Sequence, residues 1–111
     1  MAKKETITTR LKNTAIRFAR AIENQGIPVA KVIIFGSYAK GIASRQSDID
    51  LCIVSSEFGK DSVGELQFLL KQSRKIDDRI EPIPVSAEEY KNTASPLIFE
   101  VKKFGKEIFF N

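Results

Sequence analysis

The sequence predicts an α+β fold, and three observations predict it. Ile7, Leu11, Ala15, Phe18 and Ile22 recur at spacings of four, four, three and four, the period of a helix with one apolar stripe. Val32 to Phe35 and Asp48 to Val54 are runs of strand length, apolar and largely β-branched apart from the two acids that open the second. The 111 residues, 42% of them hydrophobic, suit one domain of common size with a modest core, so residues 1–111 are expected to fold as a unit.

The elements follow in order. The first helix keeps Asn13, Arg17, Arg20 and Asn24 on its wet side, and Gly26 with Pro28 ends it. Val32 to Phe35 reads as a strand buried on both faces, with Gly36-Ser37 at its end. Ser37 to about Lys40 is expected to make one helical turn, closed by Gly41, and Ile42 to Gln46 to be loop. In the second strand Ile49, Leu51 and Ile53 share one face, while Asp48, Asp50, Cys52 and Val54 share the other.

A second helix is expected over about Asp61 to Lys75, burying Val63, Leu66, Leu69 and Leu70. Ile80 to Val85 reads as a third strand. Pro82 and Pro84 lack N–H donors, which sends it to a sheet edge or leaves it with one side unpaired. Ser86 to Glu89 has capping-box spacing and predicts a short helix. Ser95-Pro96 starts the last helix, which runs to about Lys103 and ends at Gly105, and Lys106 to Phe110 reads as a short terminal strand. Ile108, Phe109 and Phe110 either close the core or line a partner or homodimer surface.

Composition narrows the chemistry. There is no histidine, which removes Ser-His-Asp catalysis, the usual zinc hydrolase sites and histidine acid–base work together. Carboxylates, lysines, hydroxyls and a hard cation are what remain. The single cysteine, Cys52, cannot form an internal disulfide and points to a reducing compartment. No apolar run is long enough to span a bilayer, and the Lys3-Lys4 start lacks a signal-peptide core, so a cytoplasmic location is expected. The net charge of +4 suits plain solubility, an acidic partner, nucleic acid or a triphosphate–metal complex alike.

The informative stretch is Ile33 to Ser55. Gly36-Ser37 at the end of a strand offers backbone N–H groups to a phosphate. Asp48 and Asp50 point the same way from the next strand and repel each other unless a cation lies between them. Either motif alone marks ordinary turns and caps. Together, with ten residues between them and each joined to its own apolar strand, they point to metal-assisted transfer from a nucleoside triphosphate. Lys40 adds charge near the phosphates or is a plain surface lysine. Cys52 reads as a small core residue.

These residues carry a resemblance. Gly36 to Leu51, GSYAKGIASRQSDIDL, resembles the signature of the minimal nucleotidyltransferases of the DNA polymerase β-like superfamily, and the flanking helices extend the likeness over most of the chain. The resemblance implies a small mixed sheet with helices packed on it, the palm-like core of that superfamily. It implies transfer of a nucleoside monophosphate, often from ATP, with release of pyrophosphate. Gly36 would then let the backbone approach the triphosphate and Ser37 would bond a phosphate oxygen, while Asp48 and Asp50 would hold Mg²⁺ in a two-metal site. The third carboxylate expected by resemblance falls on Glu81, which would bind metal and help deprotonate the acceptor hydroxyl; Asp77 and Asp78 compete for the role. Tyr38 stands where many relatives have Arg, and Ser47 either orients Asp48 or simply opens the strand.

Nothing in this length holds a large acceptor, and small members of the family typically sit beside an all-helical HEPN-type partner as a toxin–antitoxin pair. The resemblance thus implies an antitoxin that transfers AMP to the toxin. A binding module with weak catalysis is the alternative. A nucleic-acid modifier comes last, because no aromatic-rich basic platform is evident.

Overall fold

In the computed structural model, which describes residues 9–44 and 47–110, the chain runs α1 (Thr9–Asn24), β1 (Lys31–Phe35), β2 (Ile49–Ser55), α2 (Ser62–Arg74), β3 (Ile80–Ser86), a 3-10 turn (Glu89–Lys91), α3 (Pro96–Phe104) and β4 (Lys106–Ile108). The strands make one mixed sheet in the order β3-β2-β1-β4. β1 lies antiparallel to β2 and to β4, and β2 lies parallel to β3. A parallel pair needs a crossover, and α2 supplies it. The α+β class and the mixed sheet expected from the sequence are both present.

The two sheet faces have different coverings. α1 and α2 cover one face, where Phe18, Ile22, Val32, Ile34, Ile49, Leu51, Ile53 and Leu69 form a closed apolar core. α3 covers the other, over Ile33, Phe35, Cys52, Val54, Val85, Ile98 and Val101. The alternation read in β2 therefore holds, with both faces of its middle buried. Burial pushes the Cys52 thiol up to about 12, which makes it a core residue and a poor nucleophile.

The α1 stripe is inward as expected at Leu11, Ala15, Phe18 and Ile22, with Ala19 beside it. Ile7, the first residue of that stripe, and Arg45-Gln46 of the loop lie outside the described residues. β3 is an edge strand. Pro82 and Pro84 are two apart, so both missing N–H positions fall on one side of the strand, which an edge tolerates. Ile108 packs into the core on the α1 face, whereas Phe109 is exposed.

Two expectations need correction. In α2 only Leu69 of the four expected residues is buried; Leu70 is half-buried, and Val63 and Leu66 face solvent at 66% and 39% exposure. The helix turns its Leu69, Gln72 and Ser73 row to the sheet, so two polar residues displace two apolar ones from the inner face. The capping box forms, with Glu89 N–H donating to Ser86 Oγ at 2.9 Å, but it closes a single 3-10 turn rather than an α-helix. Ser37 to Lys40 makes the single turn expected of it, with Lys40 N–H donating to Gly36 O at 3.1 Å and Ile42 N–H to Ser37 O at 3.0 Å.

Candidate active site

The site is built where β1 ends beside the start of β2. Register puts Phe35 opposite Asp50, so the turn that follows Phe35 begins against that aspartate. Gly36 is the joint. Its φ of +71° lies in the left-handed region, and a Cβ there would land on Asp50 Oδ2. Only a glycine lets the backbone bend in that sense and lets the carboxylate lie against it. Beyond it the turn presents successive amides, and among the described residues the N–H groups of Ser37, Tyr38 and Ala39 donate to no backbone carbonyl.

The turn is pinned from behind. Tyr38 is buried, and its hydroxyl donates to Ser44 O and accepts from Arg79 Nη1, each at 3.2 Å. Arg79 in turn binds the Asp77 carboxylate through Nε at 3.2 Å and Nη2 at 3.1 Å. Arg79 also offers its carbonyl to Ile49 N–H at 2.7 Å, at the first residue of β2. Tyr38, Arg79 and Asp77 thus tie the cradle, the acid-bearing strand and the entry to β3 into one unit. The Tyr38 side chain is committed to holding the turn in place.

Parallel pairing sets Glu81 of β3 beside Asp50 of β2, on the same face. Asp48 lies two residues upstream, exposed just ahead of the strand. Partial burial, then the charges of Glu81, Asp48 and Glu100, hold the Asp50 carboxyl above the usual aspartate range. Asp77, the rival third acid, is committed to Arg79, whose guanidinium holds it below that range. Asp78 is exposed on the loop ahead of β3. Ser47 turns away from Asp48: its hydroxyl accepts from Ser44 N–H at 2.9 Å.

The sequence reading missed Glu100. It reaches the site from α3, across the sheet, and nothing in a local pattern announces a contact set by how that helix crosses. It also accounts for Lys40, whose ammonium lies 3.7 Å from Glu100 Oε1 and 5.0 Å from the centre of the Phe104 ring. Gly36, Ser37, Asp48, Asp50 and Glu81 are thus on neighbouring elements of the described structure, and Lys40 leans from the cradle toward α3.

The donor set suits a hard cation, since it consists of carboxylate oxygens that repel one another. Among the described residues no three side chains are gathered into one coordination sphere as they stand. What the backbone supplies is their placement, with Asp50 next to Glu81 and Asp48 on the same strand line. No helix among the described residues is long and apolar enough to cross a membrane.

Known proteins resemble this chain in sequence and in fold. The sequence model described as "Nucleotidyltransferase domain" matches residues 16–108. A provisionally named protein adenylyltransferase of Methanocaldococcus jannaschii is 35% identical over 81 residues, covering 70% of this chain and 77% of its own. A provisionally assigned nucleotidyltransferase structure from Sulfolobus solfataricus superposes with a TM-score of 0.63 at 22% identity, covering 88% of this chain and 78% of that one. A toxin–antitoxin structure with AMP-PNP gives a TM-score of 0.59 at 21% identity, covering 90% of this chain and 73% of that one. At such identities the structural matches establish the fold, while the sequence matches establish kinship.

Proposed function

The chain belongs to the nucleotidyltransferase domain family, and from that membership we propose that it transfers AMP from ATP to a hydroxyl of a partner protein. The observation that carries this reading is the contact of the Gly36 backbone with the Asp50 carboxylate, with Glu81 in register beside it. A phosphate cradle and a set of acids share one corner of the sheet, which is what nucleotidyl transfer needs. The protein acceptor and the adenylyl group are suggested by the M. jannaschii relative, and a toxin partner by the toxin–antitoxin neighbour. An all-helical HEPN-type protein, with this chain as its antitoxin, is the partner we propose.

In this reading the N–H groups of Ser37 to Ala39 and the Ser37 hydroxyl bind the phosphates. Gly36 permits the close approach, and the Tyr38–Arg79–Asp77 chain keeps the cradle rigid. Asp48, Asp50 and Glu81 would hold Mg²⁺, which supplies charge neutralisation for the triphosphate and for the attacking oxygen. Glu81, exposed and on the edge strand β3, stands where an acceptor arrives and takes the proton of its hydroxyl. The acceptor oxygen forms a bond to the α-phosphorus as the bond to pyrophosphate breaks.

The test is incubation with labelled ATP, Mg²⁺ and the candidate helical partner. Label on the partner is expected, and Asp48→Asn with Asp50→Asn should reduce it by about a thousandfold or more. Labelling that survives the double substitution overturns the proposal. Neutralisation of the partner without labelling would favour the binding-module reading instead.

A further inference from the structure

Lys40 and Glu100 come from opposite walls of the site, the cradle turn and α3. Lys40 belongs to the cradle itself, because its own N–H closes the turn onto Gly36 O at 3.1 Å. Its ammonium leaves the cradle to lie 3.7 Å from Glu100 Oε1, longer than a tight charge-assisted hydrogen bond. Both side chains are a little over a third exposed, at 36% and 39%, so solvent screens the pair and its partners exchange readily. The Phe104 ring, 5.0 Å from the ammonium, gives it a second resting contact on the same wall. The Lys40 N–H bonds Gly36 O, and Gly36 lies against the Asp50 carboxylate, so the pair sits at the edge of the carboxylate set and not on a remote surface.

A triphosphate entering this corner brings several negative charges next to three acids. Lys40 is the cation that the cradle turn contributes, and it cannot serve Glu100 and a phosphate equally. Resting on the nucleotide-binding reading given above, we propose that Glu100 is a positioning residue for Lys40, holding its ammonium beside the cradle and releasing it to a phosphate oxygen when the triphosphate binds. The exchange involves no bond chemistry: one ion pair opens and another closes. Glu100 thereby lowers the affinity for nucleotide while keeping Lys40 from being lost to solvent or to the Asp48–Asp50–Glu81 set.

Binding of α,β-methylene-ATP with Mg²⁺, measured calorimetrically at low salt, tests this with four proteins: wild type, Glu100→Gln, Lys40→Met and the double variant. Removing Glu100 removes both its repulsion of the phosphates and the pair that must open. In the Lys40→Met background only the repulsion is left to remove. The gain in affinity from Glu100→Gln should therefore be about three- to fivefold larger with Lys40 present, the ratio expected of an exposed ion pair. That excess should shrink at high salt. Equal gains in the two backgrounds, or weaker binding by Glu100→Gln, overturn the proposal, since Glu100 would then act as a fixed charge or a packing residue. Absence of binding by all four proteins would refute the nucleotide site itself, and the exchange with it.

Discussion

The two faces of the sheet are made from the same strands yet do different work. On the α1–α2 face the strands contribute a buried apolar row, Val32 and Ile34 from β1 and Ile49, Leu51 and Ile53 from β2. On the α3 face the same alternation begins with Asp50 and Glu81 and becomes apolar only further along, at Cys52, Val54 and Val85. α3 is short, Pro96–Phe104, and the acids lie where its apolar cover gives way to Glu100. One face thus supplies the rigidity, and the other is left incomplete at one corner so that charges can be exposed. If that division is right, substitutions on the first face should change stability with little effect on chemistry. Those at the open corner should do the reverse.

The largest effect on folding is expected at Phe18, which is fully buried on the inner face of α1. Phe18→Ala removes a ring from a closed core and should cost about 3–5 kcal/mol in urea denaturation. Nucleotide affinity of the molecules that remain folded should hardly move. A cost below about 1 kcal/mol would mean that the α1 face tolerates a void of that size and is not the rigid half of the molecule.

Much of this division is legible in the sequence. Spacing alone reveals the α1 stripe, and period-two alternation separates Ile49, Leu51 and Ile53 from Asp48 and Asp50. The cradle and the acid pair are local, so a short window holds them both. What stays hidden depends on elements far apart in sequence. Val63 and Leu66 look like core because α2 has more apolar positions than its inner face uses; the choice of the Leu69 row is made by packing. Glu81 can be suspected from its strand, but that it stands beside Asp50 depends on register. Tyr38 gives no hint of Arg79 and Asp77, and Lys40 none of Glu100, until the loops and α3 are in place.

Gly36 is where the corner is most easily broken. Gly36→Ala must hold a positive φ, at about 1–2 kcal/mol, and also drives a methyl group into Asp50 Oδ2. Gly41 separates the two effects, since its φ is +74° but a Cβ there meets nothing within 4 Å. Similar losses of stability are expected for the two alanine variants, by thermal denaturation. Only Gly36→Ala should lose transfer, by about a hundredfold, because a carboxylate displaced by an ångström no longer meets its partners. Equal activities would show that the contact between Gly36 and Asp50 is incidental.

The smallest effect is the one that most directly opposes the two faces. Asp50 is held above the ordinary aspartate range by partial burial and by Glu81, Asp48 and Glu100, so its ionisation works against folding of the unliganded protein. Below the ordinary range the carboxyl is protonated whether the chain is folded or not, and it contributes nothing to the pH dependence. As the pH rises, the unfolded chain ionises first, and stability falls until the folded group has ionised as well. Above that window the loss is constant. Asn cannot ionise, so Asp50→Asn should unfold at a slightly higher temperature than the wild type at pH 7, and the difference should vanish in acid. The same substitution should abolish transfer. A single residue would then lower stability and enable chemistry, as expected of a corner that the apolar core leaves unfinished. Asp50→Asn less stable than wild type at pH 7 would instead place Asp50 among the residues that hold the fold together.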